Sequence, residues 1–314
     1  MMAFYAIVAA AANGAVHVLH GMRTDGAPVY AGSYSYEQFR ADTSESYPFK
    51  PFSDSAVKKA LSTEVDWVKK GAVTPAKDQG AHGYCGTFGR VAAAEGQYAL
   101  RSASSYGGLR NFSEQELVSC VGWDKDQFSF FAPNGFMDSA DFPYNTTGPD
   151  MDPPVPYNPC RGPFKPAKVI EGTANHNFTN STGSAPDEKQ LATFLHKNGP
   201  VQTGVASHVF GLRVKGCEAT NDCFITQDMC NDPSVKGKSI DHSVTLVGYG
   251  TDKTHGEYWL VKNSWSTKFA NAGFIKVARG ISCAHIDCCG NTYTYGDASE
   301  YYEADGEAAA AEDE

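Results

Sequence analysis

The 314-residue chain contains no apolar run of the roughly 18–20 residues that a bilayer crossing needs. It has no Lys/Arg run and no basic patch, and its formal net charge is −10, which excludes a nucleic-acid backbone as its partner. No internal repeat is present, and 31 Gly and 16 Pro fall without a collagen-like period. Charged residues at 20% and hydrophobic residues at 41% exclude wholesale disorder. One absence is local: residues 297–314 hold eight acids and neither Lys nor Arg, so most of the excess charge sits in an alanine-rich tail expected to be disordered.

Nine cysteines are present, an odd number. In an oxidising compartment this leaves one free thiol beside as many as four bridges. Met1 to Val18 is short, apolar and alanine-rich, and reads as a signal peptide despite lacking a basic start. Sequons at Asn111, Asn145, Asn177 and Asn180 fit the same compartment. Cys217, Cys223, Cys230, Cys283, Cys288 and Cys289 match no common zinc spacing and are read as disulfide cysteines of open pairing.

Residues 20–62 are polar and broken by Pro28, Pro48 and Pro51, and read as a leader or prosegment. From Glu64 the texture changes. Residues 85–101 carry an apolar face at helical spacing, interrupted by Gly86, Gly89 and Gly96, so this helix requires close packing for support. Ser113-Glu114-Gln115-Glu116 is a capping box opening a second helix. Residues 121–168 are proline-rich and irregular. Asp187–Lys197 reads as a helix stopped by Asn198-Gly199-Pro200. Val201–Val205, Ser243–Tyr249, Glu257–Lys262 and Gly273–Val277 read as strands. Helices first and strands later imply an α+β chain of two lobes, with ligands favouring the cleft between them.

Cys85 opens the first helix. The positive end of the helix dipole favours a thiolate there, and the helix-initial N–H suits an oxyanion. Gln79, six residues earlier, can add its amide to the same oxyanion. His242 starts one strand, and Asn263 and Trp265 follow another.

Together these segments resemble the papain/cathepsin L-like cysteine peptidases. The resemblance rests on Val65-Asp66-Trp67 through Gly71-Ala72-Val73-Thr74-Pro75, on Asp78-Gln79-Gly80 through Cys85-Gly86-Thr87-Phe88, and on Ser113-Glu114-Gln115-Glu116-Leu117-Val118-Ser119-Cys120. It continues through Phe142-Pro143-Tyr144, Asp241-His242-Ser243, Val247-Gly248-Tyr249-Gly250 and Lys262-Asn263-Ser264-Trp265. It spans about residues 64–290 and implies a papain-like fold, with a helical left lobe over about 72–170 and an antiparallel β-barrel-like right lobe over about 171–290. The peptidase domain is then 63–295, between a shortened propeptide-like segment at 19–62 and the tail at 296–314.

The resemblance assigns Cys85 as nucleophile, His242 as general base and acid, Asn263 as the group orienting the imidazole, Gln79 as oxyanion donor and Trp265 as the shield of the His–Asn bond. It places substrate binding at Asn134, Gly135 and Phe136, with Met137, Asp138, Gly204 and Ser243 around the main specificity pocket. It pairs Cys120 with Cys160. It implies an endopeptidase that forms a thioester acyl-enzyme and needs no metal or organic cofactor. Peptide or protein substrates, its own propeptide and cystatin-like inhibitors are the implied partners of a monomer that is secreted or lysosomal/vacuolar. Tyr84, Gly86, Phe136 and Ser266 depart from the family pattern and favour an alternative, a catalytically impaired binding or inhibitory protein. A storage protein on the same fold is a further alternative. His82 stands where the family has a disulfide cysteine, and Pro133 where it has the partner. His82 is read as a solvent-facing loop residue, with metal ligation or a second base as the other options.

Overall fold

The computed structural model describes residues 52–102, 109–120, 136–145, 188–212, 217 and 223–287, together with short strands at 21–22, 28–29, 46–48, 174–177 and 293–294. The leader at 1–18, the Asn134-Gly135 pair, the Cys120–Cys160 bridge, Cys288, Cys289 and the acidic tail lie outside the described residues. Helices are α1 (Asp54–Leu61), α2 (Cys85–Ser102), α3 (Glu114–Cys120), α4 (Glu188–Asn198), α5 (His208–Gly211) and α6 (Gln227–Cys230). Strands are β1 (Gly21–Met22), β2 (Pro28–Val29), β3 (Ser46–Pro48), β4 (Val65–Asp66), β5 (Ala174–Asn177), β6 (Val201–Val205), β7 (Phe224–Ile225), β8 (His242–Asp252), β9 (Gly256–Lys262), β10 (Phe274–Ala278) and β11 (Tyr293–Thr294).

The main sheet runs β4-β8-β9-β10-β7, with β6 also on β8. Its pairs are antiparallel except β7 with β10. The register of β8 against β9 shifts between Leu246 and Gly248, so one edge of β8 serves two partners, β6 along His242–Leu246 and β4 at Gly248–Tyr249. Gly248 makes the second contact possible, since a Cβ there would lie 2.4 Å from the Val65 carbonyl oxygen. Trp259, Trp265, Phe194, Phe210, Phe224 and Phe269 are fully buried about this sheet, each ring contributing about 1.5–3 kcal/mol of transfer free energy.

Helix α2 is the wall between the lobes, and its glycines are packing positions. A Cβ on Gly89 would meet the Ser243 hydroxyl oxygen at 2.8 Å, and one on Gly96 would meet Pro200 at 2.4 Å. The helix thereby lies close against β6 and β8, which offsets the roughly 1 kcal/mol that each glycine costs in a helix interior.

Two local expectations change. Residues 54–61 are not irregular but helical: Ser53 caps α1 by accepting from the Ala56 N–H at 3.3 Å, and Ala60 is buried. The capping box is half made. Ser113 Oγ accepts from the Glu116 N–H at 3.0 Å, but the reciprocal bond is replaced by an inserted residue. The Ser113 N–H donates to the Met137 carbonyl at 2.9 Å, and the Met137 N–H donates to Glu116 at 2.8 Å. Glu116 fastens the 136–138 segment to α3, and burial pushes its carboxyl up to about 7.

Candidate active site

The first residue of β8 and the residue after β9 meet because the two strands are antiparallel neighbours. His242 Nε2 lies 2.8 Å from Asn263 Oδ1. The Ser264 backbone N–H donates to that same Oδ1 at 2.8 Å, and a backbone N–H can only donate, so the atom is the amide oxygen. Nε2 is therefore the protonated nitrogen of the neutral imidazole, and Nδ1 is its base. Trp265 covers the pair, with its ring centroid 4.8 Å from that of His242, and Phe210 on α5 packs edge-on to both rings. All four side chains are buried. The sequence reading named Trp265 but missed Phe210, which carries no local signal beyond an apolar residue in a four-residue helix.

Cys85 starts α2 and is the free cysteine among the described residues. The expected low pKa is overridden. Burial pushes the thiol up to about 11, opposed by hydrogen bonding from the backbone of Ser243, with the Asp241 charge adding to the rise and Gly86 and Arg90 acting against it. The Ser243 contact sets the sulfur beside the His242–Ser243 peptide. At 1% exposure the helix dipole cannot compensate for lost solvation, so a thiolate requires transfer of the proton to His242 rather than to water. Asp241 itself accepts from the Ser207 N–H at 2.6 Å and approaches His208 Nδ1 at 3.3 Å.

Gln79 is fully buried and held at four points. Its side-chain N–H donates to the His82 carbonyl at 2.8 Å, and its Oε1 accepts from Ser264 Oγ at 2.5 Å. Its backbone N–H donates to the Ser264 carbonyl at 2.9 Å, and its carbonyl accepts from the Tyr144 hydroxyl at 3.0 Å. Ser264 and Tyr144 were legible as motif residues without a role.

The residues expected around the pocket lie as follows. The Phe136 ring is fully buried and stacked on Phe112 at 4.7 Å. Met137 is buried, and its backbone belongs to the α3 cap. The Asp138 carboxylate is paired with Arg110. The Ser243 hydroxyl accepts from Gln202 Nε2 at 2.8 Å, against Gly89 of the interlobe wall. Gly204 pairs with Ser243 across β6 and β8. His82, expected in solvent, is 8% exposed, with its ring beside Tyr84 and Tyr144. Cys217 pairs with Cys223 and Cys230 with Cys283. No group of three metal-ligating side chains occurs among the described residues.

Beneath the site the lobes are joined by buried charge that sequence reading did not detect. Lys77 donates to Glu95 at 2.7 Å, to Glu114 at 2.6 Å and to the Phe112 carbonyl at 2.9 Å. Lys262, next to Asn263, donates to Thr74 Oγ1 at 2.7 Å and lies 3.8 Å from Glu95, which also bonds Thr74. Burial lowers Lys262 to about 8, whereas Glu95 and Glu114 more than offset the burial of Lys77 and raise its pKa.

The sequence profile of the papain family cysteine proteases matches residues 61–294, and the chain belongs to that family. It is 35% identical over 223 residues to "Cathepsin L1" of Drosophila melanogaster, a match covering 70% of this chain and 54% of that protein. It is 32% identical over 265 residues to "Digestive cysteine proteinase 2" of Homarus americanus, covering 79% of this chain and 72% of that protein. The solved "Recombinant stem bromelain precursor" is similar in fold, with a TM-score of 0.61 at 25% identity over 84% of this chain and 80% of that one. The chain thus spans little more than half of the Drosophila relative's length.

Proposed function

We propose that the chain is a cysteine endopeptidase. The reading is carried by the His242–Asn263 bond, whose polarity leaves Nδ1 as a base on the strand packed against the helix that begins at Cys85. His242 takes the Cys85 proton as sulfur attacks a peptide carbonyl. The carbonyl electron pair moves onto oxygen, where the Gln79 amide and the Cys85 N–H receive it. Collapse expels the amine, which takes its proton from His242 and leaves a thioester. His242 then deprotonates a water that attacks the thioester, and the acid departs as the proton returns to sulfur. No metal or organic cofactor enters these steps.

The impaired-protein alternative drew on Tyr84, Gly86, Phe136 and Ser266. Tyr84 packs with Phe88 and Val118, and the Gly86 carbonyl accepts from Gln202 at 3.3 Å. Phe136 stacks on Phe112, and the Ser266 N–H donates to the Lys77 carbonyl at 2.9 Å. None of these contacts engages the His242–Asn263 pair, so the active reading stands. Peptide or protein substrates, inhibition by its own prosegment and by cystatin-like proteins, and a monomeric state are parts of the same proposal. Secretion or lysosomal/vacuolar delivery is supported by the two disulfides among the described residues, since such bridges form and persist in oxidising compartments.

The test is to titrate the full chain with a thiol-reactive epoxide while following cleavage of a fluorogenic peptide in reducing, mildly acidic buffer containing EDTA. Activity should be lost in proportion to modification of Cys85. Cleavage that persists after stoichiometric labelling, or in Cys85→Ala, overturns the assignment.

A further inference from the structure

The loop that carries Gln79 and leads to Cys85 has His82 in place of a bridging cysteine, yet it is tightly placed. The His82 ring lies 5.9 Å from the Tyr84 ring and 6.3 Å edge-on to Tyr144, and Tyr144 stands edge-on to Phe88 at 4.8 Å. Two atoms of this cluster act on Gln79 directly: the His82 carbonyl accepts from its amide, and the Tyr144 hydroxyl donates to its carbonyl. A primary amide has two N–H groups. With one on His82 and Oε1 on Ser264, the amide plane is fixed, and the second N–H is the donor left for an oxyanion.

We propose that His82, Tyr84 and Tyr144 form a non-covalent clamp that positions the oxyanion donor Gln79, in the place of a disulfide. Ring packing at residue 82 fixes its carbonyl, and the carbonyl fixes the amide. These are positioning residues, and the proposal rests on Gln79 being the oxyanion donor.

A double-mutant cycle tests it, with kcat and KM on an amide substrate and the rate of Cys85 alkylation by iodoacetamide, a reaction without an oxyanion. Gln79→Ala should lower kcat by about 10²–10³; if it does not, the oxyanion reading fails before the clamp is tested on it. Misplacement on the ångström scale costs up to about 10²-fold, so His82→Ala should lower kcat by about 10-fold or more with KM and alkylation little changed. In the Gln79→Ala background the same change should have almost no further effect. Equal factors in both backgrounds, or an alkylation rate that falls with kcat, overturn the clamp. His82→Phe retains a packed ring and should restore most of kcat. If it is as impaired as His82→Ala, imidazole chemistry and not packing is in use, and the proposal falls. Should His82→Ala fail to fold, Tyr144→Phe, which removes only the hydroxyl bond, takes its place in the cycle with the same expected non-additivity.

A second inference rests on α1. The Phe52 backbone N–H and carbonyl both bond the Gln190 side chain, at 2.8 and 3.2 Å. The Phe52 ring packs on Phe194 and under Lys197. The Ala60 carbonyl accepts from the Tyr249 hydroxyl at 2.9 Å. We infer that residues 52–61 stay docked on the peptidase domain, so that any maturation cut leaves them bound. Intact-mass analysis of the active protein after gel filtration decides. No cut, a cut before Phe52, or a cut after Leu61 with the fragment still co-eluting supports retention. An active protein that starts at or after Ser62 and has lost the fragment overturns it.

Discussion

The two halves of the site are built by different means. His242 and Asn263 sit at strand ends, where the β8–β9 ladder fixes the backbone before any side chain is considered. Gln79 and Cys85 are delivered by a loop and by a helix with glycines on its packed face, and the loop is held by the side chains of Ser264 and Tyr144 on Gln79 and, at its start, by Lys77 on the Phe112 carbonyl. Sheet geometry tolerates much side-chain change, whereas a hand-tied loop depends on individual contacts. Substitutions around Gln79 should therefore act on turnover with little loss of fold, and those that reach the ladder or the interlobe charges should act on both.

The largest effect is expected at the proposed nucleophile, Cys85, and its proposed base, His242. Cys85→Ala should lower kcat by about 10⁴-fold or more, the range for a group at the head of a catalytic set. His242→Ala sharpens the point. Without a proton acceptor beside it the buried thiol should titrate near its own raised value, so the midpoint of the alkylation-versus-pH curve should move up towards about 11. An unchanged midpoint would show that burial does not control the sulfur.

Next comes the join between the halves. Lys77→Met removes the cation that Glu95 and Glu114 share and leaves two buried carboxylates facing each other. Breaking a buried pair in this way costs about 3–5 kcal/mol. Urea unfolding of the Lys77→Met chain should show that loss, together with reduced kcat. A loss below about 1 kcal/mol would mean that the network is dispensable and the halves are joined by apolar contact alone.

Within the helical half, Glu116 gives stability a pH dependence. Its folded pKa of about 7 stands above the ordinary 4.5, so the folded state holds the proton more tightly. The stabilisation is complete below about pH 4.5 and is lost as pH rises through about 7, a change of about 3 kcal/mol. Glu116→Gln keeps an oxygen for the Met137 N–H and should flatten the stability difference between those two pH values. If variant and wild type fall in parallel, the carboxyl is not the cause.

The ladder half was largely legible in the sequence because local pattern and tertiary role coincide there. Val201–Val205 and the apolar runs that became β8, β9 and β10 read as strands, and His242 and Asn263 lie at their ends. The hand-tied half was not. Lys77, Glu95, Glu114 and Lys262 look like solvated charges when read one at a time, and only the fold brings them together. Glu116 was read through its local capping partner, while the partner that won comes from 21 residues away. The helix dipole at Cys85 is a local effect that the sequence shows, whereas burial, which raises the thiol, is a tertiary one that it does not. Helix α1 is only eight residues long and half polar, and its apolar contacts exist only once α4 is beside it.

The smallest effect lies in the turn after Trp265. Ser266, Ala270 and Ala272 all have positive φ, at 65°, 45° and 51°, where L side chains are strained by roughly 1–2 kcal/mol each. Gly273 follows at φ 92° and cannot accept a side chain, because a Cβ there would lie 2.0 Å from that of Ala76. This turn backs the ladder half, since the Asn263 N–H donates to the Gly273 carbonyl at 3.0 Å and the Ser266 N–H to Lys77. Ser266→Gly relieves the strain at one position and gives back about 0.5–1 kcal/mol through the greater freedom of glycine in the unfolded chain. It also removes the Ser266 hydroxyl, which accepts from the exposed Lys268 N–H at 3.2 Å. With the loss of that exposed bond included, the balance is a gain of at most about 1 kcal/mol in unfolding free energy with kcat/KM unchanged, because no Ser266 side-chain atom touches the His242–Asn263 pair. A destabilised Ser266→Gly chain would show that the hydroxyl contact outweighs the strain, and a change in kcat/KM would show that the turn, and not the ladder alone, sets the position of Asn263.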